Sequence, residues 1–148
     1  MAACYDGFMR YLGIDFGSKR IGVALSDPSG RMAFPHSVIQ NTATTKDEIL
    51  ALMKKEGVGV IVAGDSRDRD GKENPIMQKA KPFCETLAAE SGAPLYYRLE
   101  AYTSVQAAHI QGDNAMNDAS AASLILQSYL DGINAPYEVD DAYEDDEY

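Results

Sequence analysis

Between Tyr11 and Ser26 apolar positions alternate with small or polar ones in two short runs, Leu12, Ile14 and Phe16, then Ile21, Val23 and Leu25. Gly17, Ser18 and Lys19 lie between the runs. A period of two marks a strand with one buried face, so the stretch predicts a β-hairpin. It also sets one carboxylate, Asp15, among apolar neighbours. Burying an ionised carboxylate alone is costly, so Asp15 is expected at a strand end beside a cation or hydrogen-bond donors. The plainer alternative is that it bonds the backbone of its own turn.

The pattern then changes several times. Ser26-Asp-Pro-Ser-Gly30 has turn chemistry, and Arg31 to Gln40 reads as a third strand. Thr44 or Thr45 is placed to cap a helix through Glu48, with Ile49, Leu50, Leu52 and Met53 as its buried face and Gly57 as its stop. Val58 to Ala63 is a short, continuous apolar run, which suits a strand covered on both faces. The polar segment 64–75 is expected to be a loop, and Met77 to Glu90 a helix with Met77, Ala80, Phe83, Cys84, Leu87 and Ala88 inward. Leu95 to Leu99 reads as a fifth strand leading into Glu100, and Thr103 or Ser104 begins a helix through Ile110. A last helix is expected from near Asn117, carrying Asp118, Ala121, Ala122, Leu124, Ile125, Tyr129 and Leu130, with Gly132 beyond its end. The order βββαβαβαα predicts an α/β fold: a five-stranded mixed sheet, three antiparallel strands followed by parallel βα units, with helices on both faces.

Length and charge refine this picture. A chain of 148 residues fits one domain, read as an extension at 1–8, a domain at 9–134 and an acidic tail at 135–148 expected to be disordered. The final segment 138–148 holds seven of the 23 acids and none of the 13 bases, so residues 1–137 carry 16 acids against 13 bases. The net charge of −10 therefore does not exclude a nucleic-acid partner. No run of about 18 apolar residues and no signal-like start occurs, so a cytoplasmic protein with no membrane partner is expected. Cys4 and Cys84 lack metal-ligand spacing and read as free thiols. The sequence assigns no oligomeric state.

In such sheets the functional crevice lies beyond the carboxyl ends of the parallel strands, where Asp15, Asp65 and Glu100 all fall, and Asp118 opens a helix able to lie at the same edge. Carboxylates that converge repel one another unless cations sit between them. Magnesium, a hard ion that prefers carboxylate oxygen, suits such a set and suggests phosphodiester hydrolysis.

Three motifs make the reading more specific: Gly13-Ile-Asp-Phe-Gly-Ser-Lys-Arg-Ile-Gly-Val-Ala24, Leu99-Glu-Ala-Tyr-Thr-Ser104 and the run 117–131 that begins Asn117-Asp-Ala-Ser. In this order the chain, over roughly residues 9–131, resembles the YqgF or RuvX family, also described as Holliday-junction-resolvase-like. The resemblance implies the ribonuclease H fold, a nuclease acting on the 5′ end of precursor 16S ribosomal RNA, and a bacterial cytoplasmic setting. It also implies that Asp15, Glu100 and Asp118 are the metal-binding acids, with magnesium or manganese as cofactor. The family's middle motif usually reads Asp-Glu-Arg-Leu-Thr-Thr, so an acid and an arginine are replaced here, and its fourth strand commonly ends in Gly-Leu-Pro where this chain has Gly64-Asp-Ser66. Asp65 therefore stands beside Glu100 as a candidate second metal ligand.

Lys19, Arg20 and Arg67, with Arg69 and Lys72, are candidates for phosphate contacts, and a solvated charged loop is the alternative. At least one of Tyr96 and Tyr97 is expected to pack inward, while Tyr102 is placed to stack on a base or to join the core. His36 and His109 receive no catalytic role. Two other functions are open: a resolvase-like nuclease for branched DNA, and a noncatalytic RNA-binding or assembly protein on the same fold. The first motif also resembles the phosphate hairpin of actin and sugar kinases, but the chain has room for only one of the two domains such proteins close over a nucleotide.

Overall fold

The alternating stretch forms the expected hairpin: β1 (Arg10–Phe16) pairs antiparallel with β2 (Arg20–Ser26), Leu12 opposite Leu25 and Asp15 opposite Gly22. The computed structural model describes residues 9–99 and 115–134, with the backbone alone described over 115–118. β3 (Ala33–Gln40) adds antiparallel to β2, β4 (Val58–Asp65) parallel to β1, and β5 (Leu95–Leu99) parallel to β4. The sheet order is β3-β2-β1-β4-β5, which puts β1 and Asp15 at the centre. Helices α1 (Thr45–Glu56), α2 (Met77–Ser91) and α3 (Ala115–Ile133) complete the described elements. The helix predicted up to Ile110, the extension 1–8 and the tail 135–148 lie outside the described residues.

Strand alternation divides the core in two. Leu12, Ile14, Ile21, Val23, Leu25, Ile61 and Ala63 point to one face and pack with Ile49 and Met53 of α1 and Cys84 and Leu87 of α2. Ala24, Val60 and Val62 point to the other and pack with Ala122, Ile125, Leu126 and Leu130 of α3. Both faces are therefore covered, which explains why β4 reads as an unbroken apolar run rather than an alternating one. Each fully buried aliphatic side chain contributes about 1.5–3 kcal/mol, so the two layers are the main source of stability.

Several element ends differ from the sequence reading. β3 starts at Ala33, because the Arg31 and Met32 N–H groups donate to Asp27 Oδ1 at 2.9 and 3.1 Å and extend the turn. β4 continues through Gly64 and Asp65, because β5 pairs with it as far as Asp65 opposite Leu99. α3 starts at Ala115, two residues ahead of Asn117, and runs through Ile133, so Gly132 lies inside the helix rather than beyond its end. At α1 the predicted backbone cap is absent: the Thr44 hydroxyl bonds the Glu48 carboxylate at 3.0 Å, while Thr45 Oγ1 donates to Gln40 O at 2.6 Å.

Candidate active site

The placement of Asp15 follows from which face its strand presents to α3. Tyr11, Gly13 and Asp15 share one parity on β1. The Tyr11 ring lies 5.9 Å from that of Tyr129, and a Cβ built on Gly13 would fall 2.8 Å from Leu126 Cβ and 2.9 Å from Ala122 O. α3 is thus seated directly on the backbone of β1, and stepping up the strand from Tyr11 to Gly13 steps back along the helix from 129 to 122. Helix and strand run in opposite directions. Continued by one turn, the same series brings backbone position 118 to the Asp15 end of β1. Asp15 is half-buried there and engaged in further interactions, as is Arg20.

The hairpin turn beside Asp15 is tightly built. A Cβ on Gly17 would lie 2.6 Å from Arg20 O, so only glycine fits. Asn41, just past the end of β3, anchors the turn: its N–H donates to Lys19 O and its Nδ2 to Gly17 O, both at 2.9 Å. The Lys19 side chain is exposed at this end of the sheet.

Asp65 is on a neighbouring strand but on the other face. It shares parity with Ile61 and Ala63, which pack against α1 and α2, whereas Asp15 shares parity with Gly13, under α3. Arg67 holds it, donating through Nε to Asp65 Oδ2 at 3.0 Å. The same guanidinium donates to Gly71 O at 2.8 Å and lies 3.5 Å from Glu73 Oε2, which also pairs with Lys81. The Lys81 hydrogen bond, followed by its charge and that of Arg67, holds the Glu73 carboxyl below its ordinary value against some desolvation. Arg67, exposed like Arg69 and Lys72, is therefore tied into its own loop. Asp65 Oδ1 and Tyr97 Oη are both buried and have no hydrogen-bond partner among the described residues, and burial pushes the Tyr97 hydroxyl up to about 12.

Glu100 and Tyr102 lie outside the described residues, and of Asp118 the backbone position alone is described. Among the described residues no three His, Cys, Asp or Glu side chains gather into a metal-holding group. Cys84 is a free, buried thiol that desolvation pushes up to about 12, and Cys4 lies outside the described residues. A cavity of about 320 Å³ lined by Arg10, Asp27, Phe34 and His36 sits at the opposite, amino end of β1. Among the described residues no helix is long and apolar enough to cross a membrane.

The sequence reading passed over Gly13, the residue on which α3 rests. A glycine inside a strand pattern is the available signal, since it often marks close backbone approach. It also left Tyr96 and Tyr97 undivided; Tyr97 packs toward α2 and Tyr96 outward over α3.

The family model described as RuvX, Holliday junction resolvase, matches residues 9–132. A protein of Anaplasma marginale named "Putative pre-16S rRNA nuclease" is 33% identical over 132 residues, covering 82% of this chain and 84% of its own. A protein of the same name from Anaeromyxobacter sp. is 37% identical over 137 residues, covering 86% of this chain and all of its own (100%). Among solved structures, Thermus thermophilus RuvC superposes with a TM-score of 0.58 at 14% identity, covering 84% of this chain and 96% of that one. The Fowlpox virus Holliday junction resolvase gives 0.52, also at 14% identity, covering 84% and 99%. These two likenesses establish the ribonuclease H-like fold.

Proposed function

The chain belongs to the RuvX family, and from that premise we propose that it is a metal-dependent endonuclease that hydrolyses phosphodiester bonds in structured nucleic acid, processing the 5′ end of precursor 16S ribosomal RNA in the cytoplasm. The observation that carries the reading is the seating of α3 on Gly13, which brings the helical turn of Asp118 to the strand end that holds Asp15.

In this reading Asp15, Glu100 and Asp118 hold magnesium or manganese. The donor chemistry fits: three carboxylates offer hard oxygen ligands, and Asp15 is half-buried, so part of its hydration is already lost. Bound there, the metal would supply an activated water and neutralise charge on the phosphate. The chain itself orients the substrate. Lys19 and Arg20, on the turn fixed by Asn41, meet the phosphate backbone. Asp65, across the sheet and held by Arg67, belongs to the support of the β4 loop rather than to the ligand set.

Asp15→Asn tests the reading because it keeps the shape and removes a charged ligand. Wild type and variant are incubated with precursor rRNA, single-stranded RNA and branched DNA, with magnesium, manganese or chelator. Cleavage of the rRNA precursor is expected to fall roughly a hundredfold or more in the variant, a loss of the size seen when a preorganised electrostatic group is removed. Its melting temperature should hold or rise as carboxylate repulsion is relieved. Equal cleavage by the variant, or in excess chelator, would refute a metal nuclease. RNA binding without any cleavage would instead favour an assembly protein.

A further inference from the structure

Beside the site, on the same face of the sheet, edge strand β5 carries two side chains that the proposed chemistry does not use. Tyr96 is opposite Val62 and Arg98 opposite Gly64, and both project to the side covered by α3. β5 is separated from β1 only by β4, so this pair stands about 10 Å across the sheet from the strand of Asp15. Tyr96 stacks on Tyr129 at 5.6 Å with 19° between the rings, and Tyr129 rests in turn on Tyr11. One side of the Tyr96 ring is thus fixed, yet the residue remains 46% exposed. Arg98 is exposed, donates from Nε to Ser128 Oγ at 3.0 Å, and meets no carboxylate among the described residues. A guanidinium oriented by a neutral hydroxyl, with no carboxylate partner among the described residues, is notable in a chain with a net charge of −10.

We propose that Tyr96 and Arg98 form a binding patch for an unpaired nucleotide of the substrate, the base stacking on the Tyr96 ring and its phosphate meeting Arg98. The proposal rests on the nucleic-acid reading above and deepens it. A ring already held by Tyr129 loses little freedom when a base covers it, which favours binding. Only an unpaired base offers a free π-face, because bases within a duplex already stack on one another. The patch therefore selects single-stranded segments, while a phosphate contact by Arg98 alone would be indifferent to sequence and pairing.

The test uses the full chain in chelator, so that binding is measured without cleavage, with a short fluorescent single-stranded RNA and a hairpin duplex of the same composition. Tyr96→Ala is expected to weaken single-strand binding about 5- to 150-fold and duplex binding hardly at all, and Tyr96→Phe to retain wild-type affinity. A 2-aminopurine base in the single strand should be quenched by wild type and Tyr96→Phe but not by Tyr96→Ala. Arg98→Gln should weaken both ligands and reduce the slope of log affinity against log salt by about 0.7. Unchanged single-strand affinity in Tyr96→Ala overturns the patch, as does an equal loss on both ligands, or a change in self-association with RNA binding intact. These failures differ from failure of the nuclease reading, which would show as cleavage unaffected by Asp15→Asn. A wild type that binds no nucleic acid defeats both.

Discussion

Gly13→Ala is the substitution that most directly links packing to the site. The added Cβ would stand 2.8 Å from Leu126 Cβ, where ordinary contact begins at 3.4 Å, a shortfall of 0.6 Å (3.4 − 2.8), and 2.9 Å from Ala122 O. Neither atom is the free end of a flexible side chain, so the helix itself must shift. Overpacking of this kind costs about 1–3 kcal/mol, and the reduced freedom of the unfolded chain offsets about 0.4–1 kcal/mol of that. A net loss of about 1–2 kcal/mol lowers the melting temperature of a chain this size by about 3–8 °C. The same shift, of order half an ångström, moves the turn of Asp118 against Asp15, and a misplacement of about 1 Å can cost about a hundredfold in rate. Circular dichroism melting and single-turnover cleavage measure the two effects, with Gly132→Ala as control. There the Cβ would meet Arg98 Nη2 at 3.5 Å, an ordinary contact, and helix propensity improves by about 1 kcal/mol. If Gly13→Ala melts and cleaves like wild type, α3 does not bear on β1 as described and the shared site loses its foundation.

Three further outcomes are expected. Asp65→Asn should retain most cleavage whereas Glu100→Gln should lose it; the reverse pattern in paired single-turnover assays would put Asp65 in the ligand set. Asp27 is held down at about 2 by the Ser29 hydroxyl and the Met32 and Arg31 N–H groups. Its folded value lies below the unfolded one, so its stabilisation is present above about pH 4 and lost as pH falls toward 2, at most about 1 kcal/mol after allowance for solvent exposure. Urea melts of Asp27→Asn should lack that part of the acid destabilisation, and an unchanged pH slope would contradict it. Deleting 138–148 removes seven acids, so RNA affinity should rise at low salt and the gain should fade at high salt, with the melting temperature nearly unchanged; a large fall in melting temperature would show that the tail is structural.

Much of the fold was legible because the strands report their own environment. β1 and β2 alternate cleanly, β4 runs apolar on both faces, and α1 and α2 carry helical stripes that end in turn residues, so order and sense of the strands followed from local pattern and connection rules. Boundaries set by partners were not legible. Asp65 reads as a loop residue until β5 pairs with it, and Arg31 reads as strand until Asp27 captures its N–H.

The site shows the same division between local and tertiary information. Three acids expected at strand and helix ends point to one end of the sheet, but the proposed site also needs them on one side of it. Parity supplies that second condition: positions 11, 13 and 15 face α3, whereas 61, 63 and 65 face α1 and α2. Both runs are apolar enough that composition does not reveal which helix covers which face. The Tyr11–Tyr129 contact and the close approach of Gly13 to Ala122 and Leu126 decide it, the second through a side chain that is absent. Asp65 is close to Asp15 in strand order yet separated from it by the sheet, so the shorter lateral distance is outweighed by the face. A ligand set drawn from Asp15 and the helix on its own side leaves out an acid that points to the far side, which is why the proposal does not take Asp65 as its third member.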